Sequence, residues 1–550
     1  MNRSNVRPGS HVPTGTATVQ AVRPLGWAHH LPPGTTLDRA DLVARGSLPA
    51  VWARVWAGDG RRPAVLDVGA GSGARWVSAA ALEELTRAAA QRLLVSGAAP
   101  GARVLVCLPT SLAAVVTYVA VLRTGTLVGV PVNPAYTARE LAHIVHDVRP
   151  ALAVVEGGWR VDAVTAASSG ATAVIAVDPG GEPTALFSSA PVAAGVAAGG
   201  RPADVALDGA RGGDVALIAY TSGTTGSPKG AMLSHANLLA NSESIARTWR
   251  WEGSDRLVHA LPVFHGHGLC VALFTSLLTG SSIALLPRFD VDAVLDAAAR
   301  HDATMFFGVP TMYHRLAASS RAGELSRLRL AVSGSAALRP ELHEALRATG
   351  TVVLERYGMT ETLMTLSNPY DGERRAGTVG FPFPGVDAEV EGADRDGTDR
   401  AGAGAEVRVQ GPAVFSGYWE RPAATADCFD GPWFRTGDLG VVEDGYVRLL
   451  GRSSEVVISG GYNVYPAEVE DVLLGHPSVA EVAVSGLPSD EWGETVCAWV
   501  VTDGVAALDG AALIAFAAER LAPYKCPRQV RFVASLPRNA MGKVRRSELP

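Results

Sequence analysis

A chain of 550 residues is longer than one hydrophobic core supports and is expected to divide into several domains. With 47% hydrophobic and 19% charged residues and a formal charge of −6, it has an ordinary globular composition and no basic excess of the kind nucleic-acid binding uses. Five scattered cysteines (Cys107, Cys270, Cys428, Cys497, Cys526) form no CxxC pair, which argues for a reducing compartment and against structural zinc.

Residues 1–45 are rich in Gly, Pro, Thr and Arg without periodicity and read as a partly ordered extension. They contain no signal-peptide core. The longest apolar stretch, Leu112–Val132, is interrupted by Arg123, Gly125, Gly129 and Pro131, so no membrane span is expected. A soluble cytoplasmic protein follows. Ala64–Arg75, AVLDVGAGSGAR, has the strand, Asp and glycines of a methyltransferase cofactor loop. A helix follows over 78–95, but the next strand, ARVLVCLPTS, ends without the acid that would hold a ribose. A Gly-rich hairpin explains the stretch as well.

From Arg103 to Val155 short apolar runs alternate with helical segments, the pattern of a parallel sheet with helical crossovers. A variable Ala/Gly-rich stretch (157–213) precedes the apolar strand VALIAY and the loop YTSGTTGSPKG, Tyr220–Gly230. Glycine N–H groups can approach an anion closely, and a run of them makes an anion-binding concavity. Hydroxyls of Thr221, Ser222, Thr224 and Thr225 add donors beside Gly223 and Gly226, and Lys229 adds a cation. This is a polyphosphate clamp, but not a Walker loop, because Gly230 follows the lysine. A second αβ series spans about 235–355, close-set short strands over 375–450 suggest a β-rich subdomain, and a final α+β region has a helix expected at 511–521. The fold class is α/β. A large N-terminal domain (46–451) holds αβ-layered subdomains and a β-rich one; a hinge (452–454) leads to a small mobile α+β domain (455–550).

The motifs YTSGTTGSPKG, SGSAAL, ERYGMTET, WFRTGDLG, GRSSEVVISGGYN and PRNAMGKV occur in one order from about residue 60 to the end. Together they resemble the adenylate-forming superfamily of acyl-CoA synthetases, luciferase and peptide-synthetase adenylation domains. The resemblance implies ATP, Mg²⁺ and coenzyme A as cofactor and co-substrates, with a carrier-protein thiol as an alternative acceptor. It assigns the phosphates to the clamp and the nucleotide to Ser335, Ala336, Glu355, Arg356, Tyr357, Gly358, Asp438 and Arg452. Thr360 would contact phosphate, while Thr225 and Glu361 would hold the metal. On their own residues, Thr360–Glu361 also fits a helix cap and Asp438 a turn. Lys543 is expected to place a cation at the α-phosphate as negative charge develops there. The Gly460–Gly461 loop would face the CoA thiol after a rigid-body domain switch. Ser454 stands where the family's hinge has Asp or Lys.

Stretches LPVFHGHGL, VPTMYHR and VSGSAAL resemble malonyl-CoA synthetases most closely. That likeness pairs Arg315 with a second substrate carboxylate, although a helix after Pro310 would equally let Arg315 face solvent. His267 would lie beside the substrate, with Ser333, Ser335 and Met359 completing a small pocket. The expected substrate is malonate or methylmalonate. An aryl or amino-aryl acid, or an oxyanion such as nitrite, is the alternative.

Overall fold

The computed structural model describes residues 25–68, 73–96, 98–178, 206–221, 228–390, 404–459, 461–489, 492–504, 508–538 and 543–550. Of the expected extension, only 25–45 are described, and they are docked. Leu25 donates to the Ala388 carbonyl at 2.8 Å, His30 Nε2 lies 3.1 Å from the Phe381 carbonyl, and Arg39 Nε donates to Gly385 at 3.1 Å.

The apolar run beginning at Leu112 becomes a helix, Leu112–Arg123, in which every residue is buried. It is apolar on all sides because it is packed on all sides. Arg123, which closes this helix, is neutralised in place by Asp208 at 2.9 Å and Glu83 at 3.1 Å. This helix covers a six-stranded sheet in the order 173–177, 152–156, 103–107, 128–131, 215–220, 230–234. The first five strands are parallel and the last returns antiparallel.

Pro63–Asp67 and Arg75–Ser78 pair antiparallel. Pro63–Asp67 also pairs in parallel with Ser282–Leu285, at one edge of a nine-stranded sheet. The hairpin reading of this glycine-rich stretch is the one realised. A cofactor strand would instead open a crossover into the centre of a parallel sheet. Residues 69–72, the glycine turn itself, lie outside the described residues.

In the nine-stranded sheet, Val353–Met359, Leu330–Ser333, Met305–Gly308, Arg256–His259 and Ser282–Leu285 run parallel. Their carboxyl ends come together, which in open α/β sheets is where ligands bind. An antiparallel unit (387–390, 405–410, 429–430, 433–443, 446–452) forms the expected β-rich part.

The strand Tyr446–Arg452 ends where a short turn, Ser453–Glu455, leads into the last sheet. That sheet packs helices Pro466–Leu474 and Gly510–Ala518 over Val457, Val484 and Val500. The second helix stops three residues before the expected Leu521, and the N–H groups of Arg520 and Leu521 both turn back to the Ala517 carbonyl, at 3.0 and 2.8 Å. No helix among the described residues is long and apolar enough to cross a membrane.

Candidate active site

The phosphate clamp is closed at its base. Tyr220 pairs with Gly230 across the two flanking strands, and the Thr221 N–H donates to the Lys229 carbonyl at 2.9 Å. Ser222, Gly223, Thr224, Thr225 and Gly226 lie outside the described residues. Lys229 is exposed, its ammonium 5.2 Å from the centre of the Tyr418 ring.

Asp438 and Arg452 are cross-strand partners, and the Arg452 guanidinium reaches the Asp438 carboxylate at 2.8 Å and the Thr436 carbonyl at 2.9 Å. The Tyr357 hydroxyl donates to the other Asp438 oxygen. Burial raises the pKa of Asp438, and Arg452 opposes that rise. Glu361 is buried, which lifts its carboxyl above the usual range, while a 2.8 Å hydrogen bond from the Tyr418 hydroxyl pulls it back. Lys543 is exposed as a residue, yet its ammonium lies within the fields of Arg452, Glu455 and Asp438; loss of solvent and Arg452 lower its pKa. The structure therefore brings Tyr357, Asp438, Arg452 and Lys543 to one place. Gly460 lies outside the described residues; Gly461 is exposed at φ +81°.

The other wall is built from strand ends. Ser333 pairs with Gly308 on one side and Glu355 on the other, and Phe307 pairs with His259. His267 opens a π-helical turn, His267–Leu273, with its ring 6.4 Å from that of Phe307. Arg356 is 4% exposed and lies so close to Gly334 that a Cβ there would come within 2.3 Å of its guanidinium carbon. Gly358 is required likewise, since a Cβ would meet the Leu363 carbonyl at 1.9 Å.

Both ring nitrogens of His267, Ser333 Oγ, and Arg356 Nε and Nη2 have no hydrogen-bond partner among the described residues. Native proteins rarely leave buried polar groups unpaired, and several such atoms occur here at the ends of neighbouring strands. Burial lowers the pKa of Arg356 to about 9, still a cation at neutral pH. Burial and then Arg356 lower the pKa of His265 to about 4, and that of His267 well below its ordinary value. The wall offers one cation and neutral imidazoles.

Arg315 is exposed on the helix Pro310–Ala317, its guanidinium 5.1 Å from the centre of the Phe289 ring. Proline-started and amphipathic, that helix turns Tyr313 and Leu316 inward and leaves position 315 outside. Glu355, expected among the nucleotide contacts, accepts the N–H groups of Leu338 at 3.1 Å and Gly377 at 2.9 Å. Its carboxylate braces loops, and burial raises its pKa to about 7. Ser335, in the left-handed region at φ +72°, and Ala336 are exposed beside it. Met359 and Thr360 are half-buried between the two walls, with Met359 Sδ 3.8 Å from the Tyr357 hydroxyl.

Burial holds His30, His235, His259 and His265 at a pKa of about 4, so they stay neutral where the unfolded chain protonates near 6.5. Glu355 and Asp471, raised to about 7 and about 6, act oppositely, because folding makes them keep protons. Four groups outweigh two, so unfolding takes up protons between about pH 6.5 and 4 and stability is lost as pH falls through that window. Thermal midpoints measured across this range are expected to fall with acidification; a midpoint that rose would show these histidines to be charged in the folded state.

Residues 52–419 match the model of the AMP-binding enzyme family, and 468–543 that of the AMP-binding enzyme C-terminal domain. A malonate–CoA ligase of Arabidopsis thaliana is 41% identical over 61% of this chain and 60% of its own length. A long-chain-fatty-acid–CoA ligase of Bacillus subtilis is 38% identical over 61% of each. The chain thus spans about three fifths of the length of these curated relatives. The crystal structure of ATP-bound MatB from Rhodopseudomonas palustris is 40% identical with a TM-score of 0.80, covering 91% of this chain and 98% of that one.

Proposed function

From the premise that this chain belongs to the AMP-binding enzyme family, we propose that it is an AMP-forming acid–thiol ligase. It activates malonate or methylmalonate as an acyl-adenylate and passes the acyl group to coenzyme A. The observation that carries the choice of acid is the buried guanidinium of Arg356, unpartnered beside His267 and Ser333. A cation in an enclosed wall is costly unless an anion meets it. An apolar acyl chain leaves it unpaired, whereas the distal carboxylate of a short dicarboxylate pairs with it. Similarity to ligases for both malonate and long-chain fatty acids leaves that local chemistry as the discriminator.

The residues fit the nucleotide. Asp438 accepts the paired ribose hydroxyls in place of Tyr357 and Arg452, and Lys229 with the clamp meets the β- and γ-phosphates. They also fit Mg²⁺. Among the described residues no three His, Cys, Asp or Glu side chains form a cage, and one buried carboxylate, Glu361, beside a phosphate clamp matches an ion that takes one or two carboxylates and phosphate oxygens. Bound there, Mg²⁺ supplies charge neutralisation for the phosphates.

In the first half-reaction an oxygen of the reacting carboxylate attacks the α-phosphorus, and the bond to the β-phosphate oxygen breaks to release pyrophosphate. Arg356 holds the distal carboxylate, His267 hydrogen-bonds without adding charge, and Lys543 meets the negative charge building on the α-phosphate. In the second the CoA thiol, losing its proton, attacks the acyl carbon and AMP leaves. The small domain turns about residues 452–454 to present Gly460–Gly461.

Pyrophosphate release with malonate, methylmalonate, acetate, an aryl acid and nitrite, each with and without CoA, tests this reading. Malonate or methylmalonate is expected to lead, with thioester formed only when CoA is present. Absence of release with both would reject the dicarboxylate assignment, and release without thioester would reject CoA as the acceptor.

A further inference from the structure

Tyr418 belongs to none of the motifs above, yet it stands between two of them. Residues 416–419 lie along the strand that leaves the phosphate clamp. Ser416 N–H donates to Met232 at 2.9 Å, Met232 N–H to Gly417 at 2.9 Å, and Trp419 N–H to Gly230 at 2.7 Å. The neighbouring Phe415 N–H donates to the Glu361 carbonyl at 2.7 Å, fixing the same segment to the other motif. The Tyr418 N–H is taken by Thr425 Oγ1 at 2.9 Å, and its ring packs edge-on against Phe415 at 4.9 Å between centroids.

Held in this way, the side chain has two ends in use. Its hydroxyl donates to Glu361 Oε1 at 2.8 Å, and its ring face meets the Lys229 ammonium at 5.2 Å. Lys229 and Glu361 carry opposite charge on adjoining segments and attract each other. Joined directly, they would satisfy one another and withdraw both groups from a polyphosphate and its metal. An aromatic ring holds an ammonium without neutralising it, and a phenol O–H orients a carboxylate without occupying its second oxygen. A leucine could do neither.

We propose that Tyr418 is a positioning residue that keeps Lys229 and Glu361 apart and available, the cation on its ring and the carboxylate on its hydroxyl. This rests on the adenylation reading of the site, and the test separates the two. The full-length protein is titrated with ATP in EDTA by calorimetry. It is then titrated with Mn²⁺ at saturating ATP, without acid substrate, following free Mn²⁺ by electron paramagnetic resonance.

Tyr418→Phe keeps the ring and loses the hydroxyl. Its metal-free ATP affinity is expected within twofold of the parent, and its Mn²⁺ affinity about tenfold weaker, the scale of one hydrogen bond to a charged group. Tyr418→Leu loses both ends, so ATP affinity without metal also falls, by about fivefold, the scale of a cation–π contact. In turnover, Tyr418→Phe raises the Mg²⁺ concentration for half-maximal rate and leaves kcat at saturating Mg²⁺ within about threefold. Equal losses of both affinities in Tyr418→Phe, unchanged Mn²⁺ affinity in Tyr418→Phe, or unchanged metal-free ATP affinity in Tyr418→Leu would each overturn the proposal. Thermal midpoints of both variants establish that they are folded. A parent protein that bound neither ATP nor Mn²⁺ would overturn the adenylation reading and this inference with it.

Discussion

Lys543→Ala is expected to lower malonate-dependent pyrophosphate release by at least about 10²–10³-fold, the loss that follows removal of one preorganised group from a developing anion. Thioester formation from supplied malonyl-adenylate and CoA should stay within a few-fold of the parent. The asymmetry follows from position. Lys543 lies in the fields of Asp438, Arg452 and Glu455, the groups that would surround ribose and phosphate, and in the proposed mechanism it is carried by the unit that turns to present Gly460–Gly461. Glu455 and Glu470 hold Arg546, three residues on, at 2.8 and 2.7 Å, so the segment stays placed when the lysine is shortened. Single-turnover assays of each half-reaction give the answer, and equal failure of both would remove Lys543 from its assigned role.

Arg356→Met should reduce malonate activation by about 10²–10³-fold, because a carboxylate buried without its partner costs about 3–5 kcal/mol. Acetate, with no distal carboxylate, should be affected within a few-fold. Methionine removes the charge and keeps an unbranched chain against Gly334, and exchanging a buried charge for an apolar group need not destabilise. A thermal midpoint near that of the parent is therefore expected alongside the lost activity. Arg315→Ala, at an exposed position, should change kcat/KM for both acids by less than about threefold. The reverse pattern, malonate lost with Arg315→Ala and retained with Arg356→Met, would return the distal carboxylate to the Phe289 side.

These two arginines show where sequence reading stops. Arg315 lies within a proline-started helix and Arg356 sits between an apolar run and a Tyr-Gly pair; both are single cations near motifs. A signal for Arg356 was present, since a charge continuing the buried run VVLE must enter the sheet with it. Its unpaired state, however, depends on Gly334, just past the neighbouring strand, and on His265 and His267 from a turn about ninety residues earlier. Glu355 is the converse. Its motif suggests a ligand contact, but the amides of Leu338 and Gly377 occupy its oxygens. Tyr418 carried no signal, because its two roles exist only once the loop at 416–419 is laid along the strand after the clamp.

The order of motifs, the alternation of apolar runs with helical segments and the glycines of the clamp are local properties of the chain. Short-range sterics and burial periodicity suffice to read from them an α/β protein with a phosphate-clamping loop, and the adenylate-forming site follows from the family resemblance of the motifs. Which cation is buried without a partner, which carboxylate braces loops and which ring lies between Lys229 and Glu361 depend on contacts between residues far apart in sequence. Only the tertiary structure decided those, because burial and pairing, not residue type, determine whether a charge is solvated, satisfied or left for a ligand.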